Sequence, residues 1–251
     1  MIKCHRCGAD NPDASRFCSE CGTALKQTDA AVHLDRGYRA MRAGKLHEAI
    51  REYKEALKLD PSDSRAHRDL ASMYYHCDML KEALEENKKA VEMDPDFAIA
   101  HYELGTAYYR LGRFDEAIAA YENALKANPS LYLAYFRSGL IHYYRGKLDR
   151  AIEMYKKALE LNPAFKVVHY HLAIAYARRG MLKETIDQFK VILQMDPKMA
   201  AAHYHIGCAY YYKGDLDKAM AHFEKAIEID PMDEQSARNL RTLKDLRGRF
   251  F

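Results

Sequence analysis

The stretch AIAHYELGTAYYRLGRFDEAIAAYENALKANPSL, from Ala98 to Leu131, decides the fold. Its closing Asn128-Pro129 has a counterpart 34 residues away in both directions, because Pro61, Pro95, Pro129, Pro163, Pro197 and Pro231 keep one unbroken period. Such a period marks a repeat protein. Proline lacks a backbone N–H and disfavours helical geometry in the residue before it, so each one marks a helix end. Seventeen residues before each proline lies a second break, at Gly44, Asp78, Gly112, Gly146, Gly180 and Gly214. Glycine there accepts the left-handed backbone that ends a helix. Each unit is therefore expected to be two helices of roughly 12 to 15 residues joined by a tight turn. Six units follow without insertion or deletion: 30–63, 64–97, 98–131, 132–165, 166–199 and 200–233.

Composition agrees with a folded chain. Of 251 residues, 49% are apolar and 30% charged, with a net charge of +3, which excludes a disordered polymer. No run approaches the ~18 apolar residues of a membrane span. Met1-Ile2-Lys3-Cys4-His5 lacks the basic-then-apolar pattern of a secretory signal, so a cytoplasmic address is expected.

Within the units, small residues recur in the first helix at Gly37, Ala71, Gly105, Gly139, Ala173 and Gly207. In the second they recur at Ala49, Ala83, Ala117, Ala151 and Ala219, and again at Ala56, Ala90, Ala124, Ala158 and Ala226. Small side chains let helix backbones approach closely. Aromatics fill the site between, at Tyr53, Tyr121, Tyr155, Phe189 and Phe223. This small, aromatic, small, proline pattern resembles the tetratricopeptide repeat family over about four fifths of the chain. The resemblance implies an all-α, right-handed superhelical solenoid of six helix-turn-helix units. There are departures. Thr185 and Ile192 replace alanines in the fifth unit, and Asp78 and Asn87 replace a glycine and an aromatic in the second, so looser packing is expected at both. The family's first-helix tryptophan is absent; His33, His67, His101, Tyr135, His169 and His203 occupy that column. Residues 234–251 carry Ala237, Leu240, Leu243 and Leu246 at helical spacing, the pattern of a helix that caps the last apolar face.

The cysteines mark a second module at residues 1–26, joined by a short polar linker from Lys26 to Asp29. Cys4-His5-Arg6-Cys7-Gly8 and Cys18-Ser19-Glu20-Cys21-Gly22 are two CxxC pairs. Four thiolates can converge on one tetrahedral metal, and the glycine after each pair lets the backbone turn its amides towards sulfur. The segment resembles a short zinc ribbon, including Asn11-Pro12 and Phe17. One structural zinc is expected, with iron the chemical rival because a four-thiolate tetrahedron suits both. A redox CxxC needs a sheet-and-helix domain around it, and structural disulfides conflict with a cytoplasmic address. With four cysteine ligands no position is left for water, which points to structure. His5 is read as a bystander, and Cys77 and Cys208 as ordinary thiols.

The family resemblance also implies a concave groove lined by the first helices, where members hold peptides. The inward columns place Arg68, Tyr102, Phe136, Tyr170 and Tyr204 in the groove, with Leu140 and Ile174 one turn on. Tyr109, Tyr143 and Tyr211 follow, beside Arg110, Tyr144, Arg178 and Tyr212, while Arg137, His171 and His205 offer polar anchors. The expected ligand is a protein segment with apolar or aromatic side chains and acidic flanks.

Other functions fit less well. The lysines, asparagines and arginine with which chaperone-docking members clamp a terminal carboxylate are not matched, since Arg68 and Arg137 are accompanied by Ser72, Glu103 and Leu133. Residues 1–27 carry four basic and three acidic groups, and residues 234–251 five and two, leaving thirty against thirty-one in the repeats. A nucleic-acid surface needs a concentrated basic face, so that role, through the ribbon and the Arg247-Gly248-Arg249 tail, is the alternative. No glycine-rich phosphate loop, GxSxG or HExxH is present, and the chain is expected not to be an enzyme. The histidines of the shared column are ~10 Å apart from unit to unit, too far to share a metal.

Overall fold

The structure is a computed structural model that describes residues 1–251 except 5, 6, 13, 14, 16, 23–28 and 251, and except the side chains of 248–250. His5, the end of the ribbon segment, most of the linker and part of the basic tail lie outside the described residues. The chain divides into two compact units, Met1–Asn128 and Pro129–Phe251.

In the first unit, strands β1 (Ile2–Lys3) and β2 (Asp10–Asn11) pair antiparallel, with Ile2 opposite Asn11 and Lys3 opposite Asp10. Helices α1 (Asp29–Arg42), α2 (Leu46–Leu59), α3 (Ser64–His76), α4 (Leu80–Met93), α5 (Ala98–Arg110) and α6 (Phe114–Ala127) follow in consecutive pairs. The second unit holds α7 (Tyr132–Tyr144), α8 (Leu148–Leu161), α9 (Lys166–Arg178), α10 (Leu182–Met195), α11 (Ala200–Tyr212), α12 (Leu216–Ile229) and α13 (Glu234–Phe250).

The two breaks seen in the sequence act as physics requires. The residue before each proline leaves helical geometry, with ψ at 88° in Asp60 and 94° in Asn128, yet its N–H still closes the last helical turn. Between paired helices the chain turns through a left-handed residue. In five units this is glycine; in the second it is Asp78, at φ 61°.

Four of the six helix pairs close by laying an aromatic ring on a glycine, at Gly37, Gly105, Gly139 and Gly207. A Cβ added at Gly139 would stand 2.6 Å from the Tyr155 ring, and at Gly105 or Gly207 2.7 Å from Tyr121 or Phe223. These rings are sealed, with Tyr121 and Tyr155 at 0% exposure. Fully burying one ring contributes about 2 to 3 kcal/mol, repeated wherever a ring fills this site. Where alanine replaces the glycine, at Ala71, the facing position holds the smaller Asn87, whose Oδ1 is buried without a partner.

The looser packing expected at the second and fifth units is not found. Ile192 is fully buried beside Phe189, and Thr185 turns its hydroxyl to the Met181 carbonyl at 2.9 Å. Asn87 is equally sealed, at 1% exposure, so the departure costs hydrogen bonding rather than contact.

The histidine column has a role in the joints. Nε2 of His67, His101 and His169 donates to the carbonyl of Pro61, Pro95 and Pro163, at 3.1, 2.9 and 2.8 Å. Each ring thus holds the end of the preceding helix pair. At the chain's end, α13 lays Leu243 against Ala219, Met220 and Phe223 of α12, flanked by ion pairs from Lys244 to Glu224 and Arg247 to Asp217. Asp233 caps it by accepting from the Ser236 N–H.

Candidate metal centre and first-helix faces

In the ribbon, two turns of the same construction carry the four cysteines. The Gly8 N–H donates to the Cys4 carbonyl and the Gly22 N–H to the Cys18 carbonyl, both at 2.9 Å, with the glycines at φ 78° and 69°. A residue with a side chain would be strained there. The turns bring all four Sγ atoms within 4.8 Å of one another. Two cross pairs, Cys4–Cys21 and Cys7–Cys18, stand at 3.6 and 3.5 Å. Zinc bonded to sulfur at ~2.3 Å spreads its ligands to about 3.8 Å, so the donor set fits the ion. When bound, zinc supplies the cross-link that so small a segment lacks in apolar core.

Asn11 joins the two turns. It is fully buried, donates to the Ala9 carbonyl at 2.9 Å and to Cys18 Sγ at 3.5 Å, and accepts from the Ser19 N–H at 2.9 Å. Burial opposes charge on Cys18, but the amides of Cys21 and Glu20 bring its thiol down to about 6. At Cys7 the Ala9 amide favours the thiolate, while the Cys21 and Cys18 sulfurs beside it push it up to about 12. One thiolate is therefore welcome and a fourth is not, which is the imbalance a central cation removes. Sequence reading saw Asn11 as half of a turn; its place two residues after Ala9 in a short strand is what aims it at Cys18.

The groove residues sort into three groups. In the first, Phe136 and Leu140 do not line a surface. They are 7% and 6% exposed and pack among Tyr155 and Leu172, because α7 faces α8 and α9 at those positions. Ile174 packs likewise against the core around Phe189, only partly exposed.

The second group is half-buried and locked to neighbours. Arg68 stands 3.0 Å from Asp69 and 3.9 Å from Glu103, with its guanidinium 5.8 Å from the Phe97 ring. Burial pushes the Glu103 carboxyl up to about 7 against the pull of Arg68. Tyr102 leans on Tyr121, and Tyr109 on Phe114. The Tyr170 hydroxyl shares a hydrogen bond with His205 Nε2 at 3.3 Å, and the His205 ring stacks on Phe189 at 4.9 Å. Burial holds His171 and His205 below the ordinary histidine value, so at neutral pH they are uncharged polar rings. Tyr204 lies over Phe223, its hydroxyl raised to about 12 by burial. Arg137 is half-buried on α7.

The third group is exposed. Arg110 reaches Asp78 at 2.6 Å across Tyr75. Within Pro129–Phe251, Arg178 lies 4.9 Å over the Tyr143 ring, beside Tyr144 at 64% exposure, and the C-terminal end of α11 presents Tyr211 and Tyr212 at 45% and 74%. An aromatic strip flanked by a cation, open to solvent, is suited to hold apolar and acidic groups together. Among the described residues, no helix is long and apolar enough to cross a membrane.

Comparison with known proteins agrees with this architecture. The tetratricopeptide repeat model matches residues 34–96, 78–132, 102–164 and 136–199, and a second model of the same repeat matches 200–233. A zinc-ribbon domain model matches residues 3–25. No curated protein matches the chain. Among solved structures, YrrB, described as a TPR protein with an unusual peptide-binding site, is 27% identical with a TM-score of 0.68, over 76% of this chain and 97% of that one. PilF of Pseudomonas aeruginosa is 20% identical with a TM-score of 0.68, over 86% and 96%. MamA from residue 41 onward, from Desulfovibrio magneticus RS-1, is 22% identical with a TM-score of 0.61, over 68% and 97%. The last two likenesses are of fold alone.

Proposed function

Because the chain belongs to the tetratricopeptide repeat family and carries a zinc-ribbon domain, we propose that it is a non-enzymatic scaffold that holds a peptide segment of a partner protein. In this reading the segment lies on the first-helix face of the last three repeats, formed by α7, α9 and α11, and the chain works in the cytoplasm. The observation that carries it is the exposed strip of Tyr144, Tyr211 and Tyr212 beside the stacked Arg178. Large aromatic faces left in water on a well-packed helical array are a cost to the free protein that a partner removes. The likeness to YrrB supports a peptide as the ligand class. Arg178 favours a segment with a carboxylate next to its apolar residues.

The ribbon is a second recognition module in this reading, its four cysteines closed around one zinc ion. Two surfaces on one chain suit bridging, since the second contact then forms at raised effective concentration. A random peptide library displayed on phage and selected against the full chain tests the proposal. Selected peptides are expected to combine aromatic or aliphatic residues with Asp or Glu, and to lose affinity at least about tenfold on Tyr144→Ala with Tyr212→Ala. Selection that enriches nothing, or peptides that bind the double variant equally, overturns it.

A further inference from the structure

Four of the six helix pairs tie the fourth residue of the 34-residue unit, on the first helix, to a partner 19 residues later on the second. His33 meets Glu52 at 2.7 Å, His67 meets Glu86 at 2.5 Å, and His169 meets Gln188 Oε1 at 2.7 Å. In each of these the imidazole Nδ1 faces an oxygen acceptor. The last pair breaks the rule: His203 on α11 faces His222 on α12, with the two Nδ1 atoms 3.1 Å apart and the ring centroids 5.2 Å apart.

We propose that His203 and His222 form a second metal site, distinct from the ribbon, that takes a divalent transition-metal ion of the zinc or nickel type. A metal bonded to imidazole nitrogen at ~2.0 to 2.1 Å in a tetrahedral shell spreads two ligands to about 3.3 Å, close to the observed separation. Two neutral nitrogens facing each other at this distance share at most one proton, whereas a cation accepts both lone pairs. Both rings are neutral at neutral pH. Burial first, then the charges of His203 and Lys190, holds His222 down to about 4, and burial with Lys225 lowers His203. Tyr210 stacks on His222 at 5.6 Å and fixes its plane, as a metal ligand needs. Both histidines are half-buried rather than sealed, so water can complete the shell. Imidazole with water suits zinc and nickel better than calcium or magnesium. Lys190 and Lys225 oppose a cation and Glu228 favours one, so two imidazoles among these charges make the weaker of the two sites, filling only after the four cysteines. Occupied, it would clip α11 to α12 directly beneath the α13 cap.

The chain itself supplies the control. His222→Gln recreates the His–Gln pair already present at His169 and Gln188, and so keeps the fold. Full chain carrying one zinc in the ribbon is titrated with zinc, and separately with nickel, by calorimetry. One further equivalent is expected in the native chain, with a rise in the thermal midpoint, and affinity in His222→Gln at least about tenfold lower, the low end of what losing even an outer partner costs a metal site. His203→Gln should behave the same. If the native chain takes no second equivalent up to about a millimolar, or His222→Gln binds it as tightly, the pair is a shared hydrogen bond only and the site does not exist.

Discussion

The ribbon and the helical repeats solve the problem of staying folded in opposite ways. The ribbon gathers its stability at one point, four sulfurs within 4.8 Å and a single buried Asn11 linking their turns. The repeats spread theirs over many similar joints, five of the six an aromatic ring on a small residue, so no one side chain decides the outcome. Length explains the difference. A segment of about 25 residues cannot bury enough apolar surface to offset chain entropy, while a repeat array adds apolar contact with every unit.

The largest effect expected from this contrast is metal removal. Cys18→Ser, or a strong chelator, should abolish the ribbon fold, because a structural zinc of this kind supplies on the order of 10 kcal/mol. Amide resonances of residues 1–22 should collapse to random-coil positions while helical circular dichroism is kept; helix loss in parallel would show that the modules are not independent. In the repeats a single change should instead be local. Gly139→Ala drives a methyl into the Tyr155 ring and is expected to cost about 2 kcal/mol, read as a lower urea midpoint with most helix retained. An unchanged midpoint would mean that the joint has slack.

Glu103 sharpens the comparison through pH. Its carboxyl sits at about 7 in the folded chain, above the ordinary carboxylate value, so the stabilisation is present below about pH 4 and is lost as pH rises through 7. Glu103→Gln should therefore raise the urea midpoint at pH 8, by on the order of 1 kcal/mol, and change it little at pH 4. A pH-independent difference would place the cost elsewhere. The smallest effect belongs to Asp78, which holds φ 61° where other units have glycine. Asp78→Gly relieves roughly 1 kcal/mol of strain and gives up an exposed ion pair to Arg110 worth less than that, so a net gain of about 0.5 kcal/mol is expected from denaturant melts. A net loss would show that the pair outweighs the strain.

Proline period, small-residue columns and paired CxxC turns are local chemistry, and each was legible because a single residue's backbone or ligand preference fixes what it does. Site residues were less so. Phe136 and Leu140 stood in inward columns yet are buried, since a column in the sequence records the direction of a side chain but not how closely the next helix approaches it. The bond from three of the column histidines to the preceding proline carbonyl had a sequence signal, the constant six-residue offset in His67, His101 and His169.

What the sequence by itself determined is the number and ends of the helices, their pairing and the gathering of the four cysteines at one point, because all follow from backbone geometry and spacing along the chain. Only the tertiary structure decided which tyrosines remain in water, that Asn11 reaches Cys18, and that His203 meets His222 where other units place an acid or an amide. Those depend on distances between atoms far apart in the chain, and packing alone sets them.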